Sequence, residues 1–142
     1  MKTCLVGCGG IAAVHGSVLT SGIDTEFVAA ADIKPKKAQT YAENFHTKPY
    51  PSLESMLEAE KPDVLHICTP HYLHVPMAIY SLERNINVFM EKPPAISFDQ
   101  LEELKKAAAK SEAQLGFCYQ NRYNASIRAA KDLIDSGKAG KV

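Results

Sequence analysis

The stretch Lys2 to Leu19, KTCLVGCGGIAAVHGSVL, constrains this chain most: a short apolar run enters a glycine turn and leaves it as a helical pattern. Gly7-Cys8-Gly9-Gly10-Ile11-Ala12 fits G-x-G-x-x-G/A, a motif that carries weight only between a strand and a helix, which is where it stands. Each position has a physical task. Gly7 permits the tight turn, Gly9 lets a pyrophosphate approach the backbone, and Ala12 keeps the helix close to the sheet. The helix opening at Gly10 and Ile11 offers free N–H groups and the positive end of its dipole to phosphates. Asp32 ends the next apolar run, twenty residues past Ala12, where a carboxylate can accept hydrogen bonds from adenosine ribose hydroxyls. It can equally cap the helix after it, and the two roles are compatible. A carboxylate there repels a 2′-phosphate, which favours NAD over NADP. Lys34, Lys36 and Lys37 behind it either blunt that preference or form a solvated lysine face.

The same alternation runs through the chain. Strands are predicted at 2–6, 27–31, weakly near His46–Lys48, and at 63–68, 86–90 and 114–119. Helices are predicted at 10–22, with Ile11, Val14 and Val18 on one face, and at 35–45, with Pro35 in an allowed first-turn position. Others follow at 52–60, capped by Ser52 with Leu53, Met56 and Leu57 inward, and at 74–84. Ser97 and Gln100 form a capping-box pattern ahead of Phe98, Leu101 and Leu104. The last helix, 125–137, is expected to turn Ile127, Ala130, Leu133 and Ile134 inward and to end at Gly137. Such alternation means a doubly wound, mainly parallel six-stranded α/β sheet with helices on both faces.

At 142 residues the chain holds one core, and sixteen basic against sixteen acidic residues leave no net field for nucleic acid or an anionic membrane. No apolar run reaches spanning length and the N-terminus lacks a secretory pattern, so the expected compartment is cytoplasmic. Cys4, Cys8, Cys68 and Cys118 form no C-x-x-C pair and lie at no ligand spacing from a His; they read as small buried thiols rather than a metal site. The ending GKAGKV, where a further strand could begin, reads as a cut, with residues 121–142 leading toward a missing domain.

Ligands of an open parallel sheet bind outside the carboxyl ends of its strands. Thr69, Pro70 and His71 follow one strand there, with Pro70 stiffening the turn. His71 and His74, three apart, could share a helical face as metal ligands, but no third ligand is evident. His74 reads better as a hydrogen-bonded residue at a helix start, and His66 as a core residue. Glu91-Lys92-Pro93-Pro94 holds the equivalent place one strand along. Two charges there are costly unless they face a cleft or each other, so the choice is between a local ion pair and an ammonium aimed at a substrate.

Together GCGGIA, AD, CTPHYLH, MEKP and GFCYQNRYN resemble the Gfo/Idh/MocA family of NAD(P)-dependent oxidoreductases across essentially the whole chain. The resemblance implies a Rossmann-type cofactor domain over 1–120 and a C-terminal α+β substrate domain beyond it. Many members oxidise or reduce a hydroxyl or carbonyl on a sugar, cyclitol or polyol. Carried over by motif, Gly7, Gly9, Ala12 and Asp32 hold the dinucleotide, and Thr69 and Pro70 flank it. Lys92 is the catalytic group, hydrogen-bonding the reacting oxygen and relaying its proton; Glu91 orients Lys92 or contacts cofactor, and Gln120 and Arg122 lie near nicotinamide or substrate. His71 stands where many members have Asn, and the family's catalytic His and nearby Asp belong to the second domain. The expected partner is a small-molecule substrate held through that domain. The oligomeric state stays open, with a homo-oligomer of the longer enzyme among the options. Two other readings remain: a free-standing nucleotide-binding or sensing module, and an amino-acid or homoserine-type dehydrogenase, which accounts poorly for E-K-P.

Overall fold

A computed structural model describes residues 1–22 and 24–141, so the last residue of the 121–142 segment lies outside it. The strands are β1 (Lys2–Val6), β2 (Glu26–Ala31), β3 (Lys48–Tyr50), β4 (Val64–Ile67), β5 (Asn87–Met90) and β6 (Leu115–Phe117). The helices are α1 (Gly10–Leu19), α2 (Pro35–Phe45), α3 (Leu53–Glu60), α4 (His74–Leu82), α5 (Phe98–Lys110) and α6 (Ala125–Asp135). One sheet runs in the order β3-β2-β1-β4-β5-β6, and every pairing in it is parallel rather than mainly so. The weak strand near His46 falls two residues later, as an edge strand in which Pro49, lacking an N–H, is tolerated.

Alternation along the strands divides the core in two. Cys4, Val6, Ala29, Ala31, Leu65, Ile67, Val88 and Met90 point to one face, under α3, α4 and α5. Leu5 and Ala30 point to the other, under Ala12 of α1 and Tyr41 of α2. Gly16 of α1 lies where any side chain would strike the Tyr41 and Phe45 rings, so the two helices meet closely. Ala30, Leu5, His66, Phe89 and Gly116 form one row across the sheet on this second face. Its β4–β6 end, His66, Phe89 and Gly116, stays half-buried. Helices do lie on both faces, but the second face is well covered only over β1 and β2.

Two apolar stripes differ from expectation. The buried face of α1 is Ala12, His15, Gly16 and Leu19, while Ile11, Val14 and Val18 are exposed. A helix tight against a sheet presents its smaller residues inward, and two apolar stripes on one helix cannot be ranked by periodicity alone. α6 buries no residue; Ile127, Leu133 and Ile134 face solvent. The caps were legible: Ser52 accepts from the Ser55 N–H and Ser97 from the Gln100 N–H, both at 3.2 Å. The Gln100 amide reaches back to the Ile96 N–H. Phe98, at the opening of α5, is exposed, whereas Leu104 is buried. Of the cysteines, Cys4 and Cys68 are buried and Cys8 and Cys118 only partly so. Among the described residues no helix is long and apolar enough to cross a membrane.

Candidate dinucleotide site

The loops that leave β1, β2, β4, β5 and β6 carry the glycine turn, Asp32, Thr69-Pro70, Glu91-Lys92 and Cys118–Arg122 to the same edge of the sheet. Gly7 is fixed by the fold: at φ +92° it donates to the Ala31 carbonyl (2.8 Å), and a Cβ would sit 2.7 Å from the Cys68 backbone. Gly9 and Gly10 differ, because a Cβ on either meets nothing within 4 Å. α1 starts there with no side-chain cap and no acidic residue in its first turn, so its opening N–H groups stay available to an anion.

Asp32 uses both oxygens locally. Oδ2 accepts from the Cys8 N–H (2.9 Å) and Oδ1 from the Lys34 N–H (2.8 Å), so the carboxylate braces the glycine turn and the start of α2. Each oxygen keeps a lone pair for a hydroxyl donor. Beside it lies a cleft of about 210 Å³ whose walls include Gly7, Asp32, Ile33, Thr69, Pro70 and Tyr72. The Thr69 hydroxyl is buried there without a hydrogen-bond partner, a polar atom awaiting one. The open cradle, the paired acid and the orphan hydroxyl fit a dinucleotide with its adenosine end in this cleft. A larger hollow of about 630 Å³ opens at the opposite end of the strands, between Lys61–Asp63 and Arg84–Asn87. It carries none of these features.

Neither His74 nor Glu91 is among the residues that line the cleft. His74 is fully buried; its ring nitrogens lie 2.8 Å from the Pro93 carbonyl and 2.9 Å from the Thr69 carbonyl, tying the two loops together. His71 is exposed at the start of the single 3-10 turn before α4, its ring centroid 5.5 Å from that of His74. Glu91 is 5 % exposed and turns inward: Oε1 accepts from His15 Nε2 (3.0 Å) and Oε2 from the Lys92 N–H (3.3 Å). Burial alone raises its pKa, yet the hydrogen bond from His15, with the nearby Cys118 thiol, outweighs that and leaves it below the usual carboxylate range. The neighbouring charges are therefore not paired with each other. Lys92 is exposed, stands two residues past the end of β5, and forms no ion pair among the described residues. Gln120 and Arg122 sit exposed on a short 3-10 turn, Gln120–Tyr123, at the same edge.

His15, which sequence reasoning passed over, joins Glu91 and Cys118 in a cluster whose ligand-type atoms lie within 4.8 Å of one another. Two ligands about 2.0 Å from a tetrahedral ion would stand roughly 3.3 Å apart. The 3.0 Å His15–Glu91 contact is a hydrogen-bond distance. Spacing along the chain gave no sign of this cluster, whose members come from α1, the end of β5 and the end of β6.

An all-parallel doubly wound sheet with an open phosphate turn and an acid at the second strand defines a dinucleotide-binding domain. The chain belongs to the Gfo/Idh/MocA oxidoreductase family with its NAD-binding Rossmann fold, whose description matches residues 1–119. It is 28% identical over 144 residues to D-glucoside 3-dehydrogenase of Escherichia coli, covering 100% of this chain and 41% of that protein. To inositol 2-dehydrogenase/D-chiro-inositol 3-dehydrogenase of Lacticaseibacillus casei it is 27% identical, with 99% and 42% covered. The WlbA dehydrogenase of Bordetella pertussis, solved in complex with NADH and UDP-GlcNAcA, superposes with a TM-score of 0.94 at 30% identity, over 99% of this chain and 43% of that one. The chain thus spans about two fifths of the length of these relatives.

Proposed function

We propose that residues 1–120 are the cofactor domain of a cytoplasmic oxidoreductase that transfers hydride between NAD(H) and a hydroxyl or carbonyl of a sugar-, cyclitol- or polyol-like substrate. Residues 121–142 then lead toward a substrate domain, a reading supported by the length of the relatives, which are more than twice as long as this chain. Gly9, Gly10 and Ile11 take the pyrophosphate on the first turn of α1, Asp32 the adenosine ribose, and Thr69 and Pro70 the wall of the cleft. The bound nicotinamide supplies or accepts the hydride. Lys92, exposed and without an ion-pair partner, donates a hydrogen bond to the reacting oxygen and shares its proton. Gln120 and Arg122 border the same place. The remaining substrate contacts, and any assembly of the longer enzyme into a homo-oligomer, belong to surfaces beyond these residues.

The observation that carries this reading is the empty space over Gly9 beside an Asp32 carboxylate held in place by two backbone N–H groups. The fold does not need a glycine at that point, but an approaching phosphate does. Calorimetric titration of the purified chain tests it: NADH binds, and NADPH binds at least about tenfold more weakly because its 2′-phosphate meets the Asp32 carboxylate. Absence of NADH binding would sink the site, and equal affinities would sink the NAD preference.

A further inference from the structure

We propose that His15 is a positioning residue for Lys92, acting through Glu91 and so tying the phosphate-binding helix to the loop that carries the reactive ammonium. The proposal deepens the reading above and rests on its assignment of Lys92. A carboxylate buried as deeply as Glu91 must be partnered, and its partners decide what it holds in place. One oxygen is held by His15 and the other holds the main-chain N–H of Lys92. Glu91 therefore fixes the backbone from which the Lys92 side chain departs, leaving the ammonium itself free. His15 lies on α1 five residues after Gly10, on the helix whose first turn faces the phosphates.

The hydrogen-bond chain is specific about donors. Glu91 is a carboxylate and only accepts, so His15 Nε2 carries a proton. His15 Nδ1 lies 2.9 Å from Nδ1 of His66. Burial, with the nearby His15 charge, pulls the His66 pKa down to about 4, so His66 is neutral near pH 7. A neutral His66 donates to a neutral His15, or accepts from a charged one by changing tautomer. His15 thus keeps its bond to Glu91 in either state. The Cys118 sulfur lies within 4.8 Å of Glu91 and donates to Gln120 Oε1 (3.9 Å); burial, then the Glu91 charge, raises its pKa and keeps it a thiol.

The test uses the 15N-labelled chain. His15→Leu moves the Lys92 amide resonance and speeds its hydrogen exchange by about tenfold or more, as local opening frees it. The Cys8 amide, held by Asp32, keeps its position. His15→Gln, which retains a donor, restores most of the protection. A Lys92 amide unchanged in His15→Leu overturns the proposal. Should that variant not fold, Glu91→Gln gives the same answer from the other side, since the His15 ring-nitrogen resonances must shift; unshifted resonances overturn it equally. In the two-domain enzyme His15→Leu lowers kcat by about tenfold or more through misplacement of Lys92, with the KM for NAD changed less than about twofold. An unchanged kcat in His15→Leu, where Lys92→Ala is disabled, refutes the positioning role. A fully active Lys92→Ala would instead refute the assignment of Lys92, whatever the amide data show.

Discussion

Gly7 and Gly9 stand two residues apart in one motif and serve different masters. At Gly7 a methyl group would meet the Cys68 backbone at 2.7 Å from a positive-φ conformation. Neither side of that contact is a flexible side chain, so Gly7→Ala should destabilise the fold by about 3 kcal/mol or more, seen as a lower urea midpoint. Gly9 has φ −86° and open space, which alanine tolerates. Gly9→Ala should leave stability within about 0.5 kcal/mol of the parent while weakening NADH binding at least roughly tenfold, because the methyl occupies the phosphate's approach. Equal loss of stability in both variants would show that the second glycine is structural. At this scale the motif was legible, since strand, glycines and helix are contiguous in the chain. The inward turn of Glu91 was not: its partner His15 is 76 residues away, and only the stacking of α1 on the sheet brings them together.

Elements are held by contacts that periodicity only half reveals. Ser52, Ser97 and Pro35 announced three helix starts because capping and φ restriction act within a few residues. Which stripe of α1 goes inward depended on how near β1 and α2 stand, a tertiary fact. The end of α3 is tied to the sheet by Glu60, a buried carboxylate that binds the Tyr50 hydroxyl (2.6 Å), Lys48 Nζ (2.9 Å) and Lys2 Nζ (3.1 Å). The Tyr50 hydrogen bond, then that of Lys48, holds its pKa down to about 2, against an ordinary 4.5. A folded-state value below the unfolded one means the stabilisation is complete above pH 4.5 and is lost as pH falls through about 2. Glu60→Gln should therefore lower the urea midpoint at neutral pH and flatten its decline across that acid window. Parallel acid limbs in parent and variant would mean the carboxylate is not held as described.

Across the whole molecule, a parallel six-stranded sheet with helices on both faces followed from the alternation of runs and helices, whereas the strand order and the cover of each face did not. α6 carries an apolar stripe that buries nothing within the described residues, and β5 and β6 keep one face half-open. Removing residues 121–142 should accordingly leave the unfolding free energy within about 0.5 kcal/mol of the parent, read from matched denaturant curves. A drop of several kcal/mol would show that α6 belongs to the core after all. The amphipathic pattern of that helix was visible in the sequence, but its partner could not be read there. The sheet order has a further consequence for how the chain is made. Of the six strands β1 leaves the ribosome earliest, yet it lies in the middle of the sheet between β2 and β4. Until β4 emerges, the nascent chain can complete only β3-β2-β1, with the apolar β1 as an unpaired rim. That rim is the point at which a growing chain is open to a neighbouring polypeptide or a chaperone, and the arrival of Val64–Ile67 closes it.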